Sequence, residues 1–214
     1  MNDDLLTELK AAIIDGDDAL AATKTTEAIA AGLPPLEILN AGVVPGITEA
    51  GELWKANKFF LPDVIMAAEA FKAAMGPLEP HLREAQGGNA RGKVVIGVVE
   101  GDMHELGKSL VIAMLTSAGF DVTDLGINVP LATFVSTVKE VKPDIVGLGA
   151  YMTTTMLQMR AIITELDRQG LRSGLRVLVG GVPTSQEFAD EIGADAWGKD
   201  ALDAMNKALG MVGA

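Results

Sequence analysis

The chain has 214 residues and no cysteine. Disulfides, thiolate metal sites and a protein-bound iron–sulfur cluster are therefore excluded, and any electrons the chain uses must come from another protein. Histidine is scarce as well, with only His81 and His104 in the sequence. Basic side chains are outnumbered: 17 Lys and Arg stand against 29 Asp and Glu, a formal net charge of −12. The deficit runs through both halves, with 14 acidic and 6 basic side chains in residues 1–90 and 15 and 11 in residues 91–214. No basic patch would recruit a phosphate backbone or an anionic bilayer, so neither nucleic acid nor membrane is an expected partner. No apolar run reaches about 18 residues, and the opening MNDDLLTELK lacks a basic segment of the secretory kind. A soluble, cytoplasmic protein is expected. Internal repeats and low-complexity tracts are also missing.

What is present divides into two stretches with different periodicity. Residues 1–84 carry helical spacing throughout, beginning with Leu5, Leu6, Leu9 and Ile13. Gly16-Asp17-Asp18 supplies a stop and then an N-cap for a second, alanine-rich helix that ends at Gly32-Leu33-Pro34-Pro35. A third helix is expected from about Glu37 to Ala56, bent at Pro45-Gly46 because proline lacks the helical donor and crowds the preceding turn. A fourth begins near Pro62 and carries Val64, Ile65, Ala68, Phe71 and Met75. Short turns between amphipathic helices predict a four-helix bundle. Residues 85–92 are polar and glycine-rich, a linker. From residue 93 the pattern becomes apolar runs alternating with helical segments. Val94–Val99 is followed by a helix over Leu106–Ala118, and further strands are expected near Val122–Leu125, Ile145–Leu148, Arg176–Val179 and Ala194–Trp197. Residues 93–214 are thus expected to form a doubly wound α/β domain with a five-stranded parallel sheet, flavodoxin-like or Rossmann-like, whose ligands bind outside the C-terminal strand ends.

The loop after the first strand, Glu100-Gly101-Asp102-Met103-His104-Glu105-Leu106-Gly107-Lys108-Ser109, sits where such a fold places ligands. Gly107-Lys108-Ser109 ends like a phosphate-binding P-loop, but the spacing back to Gly101 is one residue too long, and Asp102 and Glu105 would repel a phosphate. A second reading is structural, with Asp102 capping the following helix beside a tidy histidine. His81, by contrast, lies in the proline-flanked end of the fourth helix and is expected to face solvent.

A third reading takes Asp102-x-His104-x-x-Gly107 as one unit, which resembles the Asp-x-His-x-x-Gly signature of cobalamin-binding domains. Asp124-Leu125-Gly126 leading to Val129-Pro130, then Gly147-Leu148-Gly149-Ala150-Tyr151, then Gly180-Gly181 follow in the order of that family, each at a strand end. Glu52-Leu53-Trp54 and Phe59-Phe60-Leu61-Pro62-Asp63-Val64 resemble the helical cap that precedes the cobalamin domain in methionine synthase and in corrinoid methyl carriers. The resemblance covers nearly the whole chain.

The resemblance implies a cobalamin or related corrinoid, carried as methylcobalamin when loaded, with His104 replacing the cofactor's own base as the lower ligand of cobalt. Imidazole suits that metal, and its second nitrogen can bond a carboxylate, here Asp102. The supporting hydroxyl maps to Thr155, which makes Asp102 and Thr155 a proton relay to the ligand. Met103, Gly107, Gly126, Val129, Gly149, Tyr151, Thr153, Gly180 and Gly181 are the further residues expected to bind the cofactor, with Gly149, Tyr151, Gly180 and Gly181 beside its buried tail. The family usually has serine and leucine where this chain has Gly149 and Tyr151, which leaves the identity of the lower base open. Above the ring, Trp54, Phe59, Phe60, Val64 and Met66 are candidates for an apolar lid, with Phe60 and Met66 expected to touch the cofactor.

The same domain serves methyl carriers, subunits of adenosylcobalamin-dependent mutases, and sensors. A mutase subunit would normally lack the helical cap, and a sensor would carry a basic helix-turn-helix that is not found. The expected function is a non-catalytic corrinoid carrier of an anaerobic methyltransferase system. By resemblance its partners would be a substrate-specific methyltransferase, a second methyltransferase acting on tetrahydrofolate or coenzyme M, and a reductive activator with an iron–sulfur centre. Methoxylated aromatics, methanol, methylamines and betaines all stand as donors, with a lean toward aryl methyl ethers and an O-demethylase partner. Oligomeric state is left open.

Overall fold

Helix boundaries follow the expected stops closely. Asp17 caps α2 (Asp18–Ala30), its carboxylate accepting the Leu20 N–H at 2.9 Å, and α1 (Asn2–Asp15) ends just before Gly16, whose φ is +72°. A Cβ on Gly16 would stand 2.4 Å from the Cβ of Met66, so the turn also sets how closely α5 (Leu61–Ala85) can approach. The third helix differs from expectation. It runs as α3 (Pro35–Glu37), a six-residue π-helical stretch over Ile38–Val43, and α4 (Val44–Lys55). The Val44 N–H reaches back five residues to the Leu39 carbonyl, so the helix widens just before Pro45, which has no N–H to give. Gly42 and Gly46, one turn apart, let this helix lie against α1: Cβ atoms there would come within 2.8 Å of Leu9 and 2.9 Å of Ile13.

The structure is a computed structural model that describes residues 2–85 and 90–212. Residues 86–89, the centre of the expected linker, lie outside the described residues. The chain forms two compact units, divided between residues 88 and 89. In the helical unit the buried stripe of α5 is Ala67, Ala70, Phe71, Ala74, Leu78 and Leu82. Small alanines set much of the packing there, and Ile65, one of the apolar residues this helix carries, is 53 % exposed.

The α/β unit contains β1 (Lys93–Val98), α6 (Leu106–Ser117), β2 (Asp121–Asp124), α7 (Leu131–Val141), β3 (Ile145–Gly149), α8 (Leu157–Arg168), β4 (Arg176–Gly180), α9 (Gln186–Ile192), β5 (Ala196–Gly198) and α10 (Ala201–Val212). All strands pair in parallel in the order β2-β1-β3-β4-β5. Successive residues feed opposite cores. Val95, Val146, Leu148, Val177 and Val179 pack with α7, α8 and α9 on one face, while Val94, Ile96, Ile145 and Leu178 pack with α6 and α10 on the other. Each fully buried side chain of this size contributes roughly 1.5–3 kcal/mol, which is why the strands read as unbroken apolar runs. The last strand begins two residues later than expected, because the Ala194 N–H closes α9 onto the Ala189 carbonyl after Gly193 turns at φ +77°.

The strand order reverses between β1 and β3, so the crevice at their C-terminal ends is the natural ligand position of this sheet. Among the described residues no helix is long and apolar enough to cross a membrane.

Candidate functional site

The loop leaving β1 is fixed before any side chain acts. Gly101 turns at φ +85° and gives its N–H to Asn128 Oδ1 at 2.7 Å, and the Asn128 N–H returns to the Asp102 carbonyl at 3.0 Å. Asn128 itself has φ +51°, a conformation asparagine tolerates better than most residues. Val129 continues the pairing by a parallel bridge to Val99 and is 3 % exposed, so it serves the core under the loop.

This lacing holds Asp102 with its side chain wholly buried. Its two oxygens face different partners. Oδ1 accepts from His104 Nδ1 at 2.7 Å and from the His104 backbone N–H at 3.2 Å. Oδ2 accepts the Tyr151 N–H and the Thr155 hydroxyl, both at 2.7 Å, from the segment after β3. Burial alone would push the carboxyl up, but the donors from Tyr151, Thr155 and His104 outweigh it and hold the group down at about 2. A carboxylate can only accept, so Nδ1 of His104 carries the proton and Nε2 is left with a free lone pair on a ring that is 58 % exposed. Asp102 does not cap α6: the N-cap position is Glu105, with no side-chain cap bond, and Asp102 serves the His104 turn instead.

Tyr151 shares this centre. Its ring lies 5.7 Å from the imidazole at 36°, and burial, then the nearby Asp102 charge, push its phenol well above the ordinary range. A Cβ on Gly107 would be 2.2 Å from the phenol oxygen, so a side chain there would have to displace the Tyr151 ring. At Gly149 a Cβ would meet neighbours at 3.4 Å or more, so that glycine leaves room. Gly181 is the opposite case: at φ +123° its Cβ would fall 1.7 Å from the Ala150 carbonyl oxygen, which brings the β4 loop hard against the β3 loop. Gly180 lies beside the Gly198 carbonyl, and Gly126 turns at φ +86° after β2. Met103 is 65 % exposed and Thr153 is exposed.

Asp102, His104, Gly107, Tyr151 and Thr155 are thus brought together at the β1/β3 crevice. Phe60 and Met66 belong to the helical unit, where they are 70 % and 50 % exposed along with Trp54, Leu61 and Ile65. His81 is exposed, with Nδ1 3.7 Å from Glu84.

Sequence reasoning missed two residues here. Lys108 is 2 % exposed and its ammonium meets Asp124 Oδ2 at 2.5 Å, while Asp124 Oδ1 takes the Gly126 N–H at 2.8 Å. That pair ties α6 to the end of β2. Asn128 is the other, and its only sequence signal is the tolerance of asparagine for a left-handed turn.

Residues 5–79 and 92–206 each match a family described as a B12 binding domain. The chain belongs to the B12-binding family. It is 44 % identical over 211 residues to a corrinoid protein of Desulfitobacterium hafniense (strain Y51), covering 96 % of this chain and 98 % of that one. Among solved structures it resembles the monomethylamine corrinoid protein of Methanosarcina barkeri, with TM-score 0.78, 32 % identity, and 98 % and 99 % of the two chains covered. It also resembles the methanol:cobalamin methyltransferase complex of Methanosarcina barkeri, with TM-score 0.59, 28 % identity, and 98 % and 80 % covered. A corrinoid is therefore the cofactor of this chain, and its role lies with the corrinoid proteins of methyltransferase systems.

The donor set suits that cofactor. Among the described residues no three or more His, Asp or Glu side chains gather to hold a metal ion. One outward imidazole nitrogen is what a metal already ringed by a tetrapyrrole requires.

Proposed function

We propose that this chain is a methyl carrier whose cobalt ligand is His104, alternating between a substrate-specific methyltransferase and a second methyltransferase that removes the methyl group. The bound corrinoid supplies a nucleophilic cobalt centre, and the chain supplies everything around it. The observation that carries the reading is the two-sided anchoring of Asp102, which fixes the tautomer of His104 and leaves Nε2 as the only imidazole nitrogen with a lone pair. Against the cost of burial, the Tyr151 N–H and then the Thr155 hydroxyl hold Asp102 anionic, and Asp102 in turn would raise the electron density of the imidazole. Were His104 released from the metal, Asp102 would stabilise a proton taken up at Nε2, and Asp102 and Thr155 would then act as a relay. Gly180 and Gly181 would border a threaded cofactor tail, and Met103, Gly126 and Thr153 would border its entry.

Residues 93–214 are proposed as the corrinoid-holding domain, residues 85–92 as a linker, and residues 1–84 as a cap. The exposed Phe60 and Met66 of that cap would cover the upper ring face. A reductive activator with an iron–sulfur centre would restore cobalt that has slipped to its inactive oxidation state, because a chain without cysteine cannot hold such a centre on its own thiolates. For the donor, a methylated amine is favoured over the aryl methyl ether expected from sequence, since a full-length relative is named for monomethylamine.

The test is direct. The purified chain is reconstituted with hydroxocobalamin, reduced to cobalt(I), and offered methyltransferases specific for monomethylamine, trimethylamine, methanol and an aryl methyl ether, each with its substrate. An amine enzyme should convert the cobalt(I) spectrum to that of methyl-cobalt(III). Conversion by the aryl ether enzyme alone would overturn the donor, and conversion by none would overturn the carrier reading.

A further inference from the structure

At position 151 this chain has tyrosine where the family pattern has leucine, and its surroundings give that tyrosine a task of its own. The residue is anchored at both ends. Its backbone N–H bonds Asp102 Oδ2 at 2.7 Å. Its side chain crosses from the end of β3 to the first turn of α6, where a Cβ on Gly107 would meet the phenol oxygen, Cε1 and Cζ at 2.2, 2.7 and 2.8 Å. The other edge of the ring, Cε2, lies 3.7 Å from where a Cβ on Gly149 would stand. Between these anchors the ring flanks the imidazole of His104, centroid to centroid 5.7 Å.

His104 needs such a neighbour. Its ring is more than half exposed, and the one hydrogen bond at Nδ1 tolerates a range of angles, which leaves the ring room to tilt. A second contact on the flank limits that tilt. The tyrosine is placed to do this because the same carboxylate binds the His104 ring and the Tyr151 backbone, so the two residues share one anchor.

We propose that Tyr151 is a positioning residue for His104: its phenol ring, seated on Gly107 and tethered to Asp102, holds the imidazole plane in which Nε2 presents its lone pair to cobalt. This rests on the assignment of His104 as the ligand, and the experiment separates the two. The full chain is labelled with 15N-histidine, reconstituted with cobalamin and reduced to cobalt(II). In the paramagnetic spectrum a 15N ligand splits each line into a doublet, whereas the cofactor's own 14N base gives a triplet, so the share of cobalt carrying a protein histidine is counted directly.

Tyr151→Leu, the residue the family pattern tolerates, should lower the ratio of histidine-bound to histidine-free cobalt by roughly threefold to tenfold, the equivalent of one aromatic pair contact. Total corrinoid bound should stay the same. Tyr151→Phe keeps the ring and should stay close to the unmodified protein. A leucine variant with an unchanged doublet fraction would overturn the positioning role while leaving His104 as ligand. No doublet in the unmodified protein would overturn the ligand assignment and this inference with it.

Discussion

Asp102→Asn keeps the outline of the side chain and changes which atoms can accept. An amide offers one oxygen and one NH2 group in place of two acceptors. If the oxygen takes the Oδ2 position, Tyr151 N–H and the Thr155 hydroxyl keep their acceptor at 2.7 Å, and the NH2 faces His104. Imidazole answers by moving its proton to Nε2 so that Nδ1 can accept, and only the long 3.2 Å bond from the His104 N–H is lost. If the oxygen takes the Oδ1 position, Thr155 can turn its proton to the Met152 carbonyl at 3.0 Å, but the short bond from Tyr151 N–H has no replacement. The first arrangement sacrifices the weaker bond and should prevail. Nε2 then carries a proton and cannot bind a metal. The energetic side follows from the lowered Asp102 value: a drop from 3.8 to about 2 corresponds to on the order of 2 kcal/mol of stability. Because the folded value is the lower one, that contribution is full at neutral pH and is lost as pH falls from about 4 through about 2. The asparagine variant should therefore be less stable by about that amount at pH 7 and should lose the acid-side dependence. The assay is a long-range 1H–15N correlation of the histidine rings at pH 8 in a His81→Gln background, which leaves His104 alone in the spectrum. The parent should show the proton on Nδ1 and the variant on Nε2. A variant with its proton still on Nδ1 would refute the reasoning, because it would mean the amide oxygen faces the ring at the expense of Tyr151.

Two further outcomes test the fold around the site. Gly181→Ala should cost about 3–6 kcal/mol, from a backbone conformation reserved for glycine together with a clash against a carbonyl that cannot turn away. Gly193→Ala, at φ +77° with open space around it, should cost only about 1–2 kcal/mol, and Gly149→Ala should be near neutral. Urea unfolding followed by Trp197 emission in a Trp54→Phe background ranks the three, and equal losses at 181 and 193 would contradict the close contact with Ala150. Asp195 accepts from the Val177 N–H at 2.7 Å and from Arg172 and Arg176, which together overcome burial and lower its pKa. Asp195→Asn should lower the urea midpoint at pH 7 by the equivalent of about 1–3 kcal/mol. The gap should close as pH falls below about 4, since a depressed carboxylate stabilises only while ionised, and a gap constant down to acid would count against the ion pairs.

The sheet was legible because strands covered on both faces have no polar alternation to obscure them, and the loop at β1 was legible because Asp102, His104 and Gly107 carry a spacing. The rest depended on partners far away in the chain. Pro45 announced a distortion of the third helix, but a proline says only that a donor is missing; the widening over Ile38–Val43 accompanies the close docking of Gly42 and Gly46 on α1, a contact remote in sequence. Lys108 drew attention through a false likeness to a phosphate loop, and its burial depends on Asp124 from the neighbouring strand. Asn128 precedes a valine and a proline, an extended pattern that hides a left-handed residue. In the helical unit, Ile65 and Met66 of α5 are exposed, whereas the seam alternates Ala67, Ala70 and Ala74 with Phe71, Leu78 and Leu82. Size and hydrophobicity do not by themselves say which face of a helix is the close-packed one.

Both donors to the far oxygen of Asp102 arise from the stretch 151–155, a segment that shares no covalent neighbour with His104. The basicity of the imidazole is thus adjustable from the loop that follows β3. A change at Thr155 would alter how much negative charge Asp102 keeps for the ring, and would do so without moving the loop that carries the histidine. On the proposed assignment of His104 as ligand, the pull on the metal would be retuned from 151–155 while the binding loop stays untouched, and relatives with different methyl donors should then diverge there.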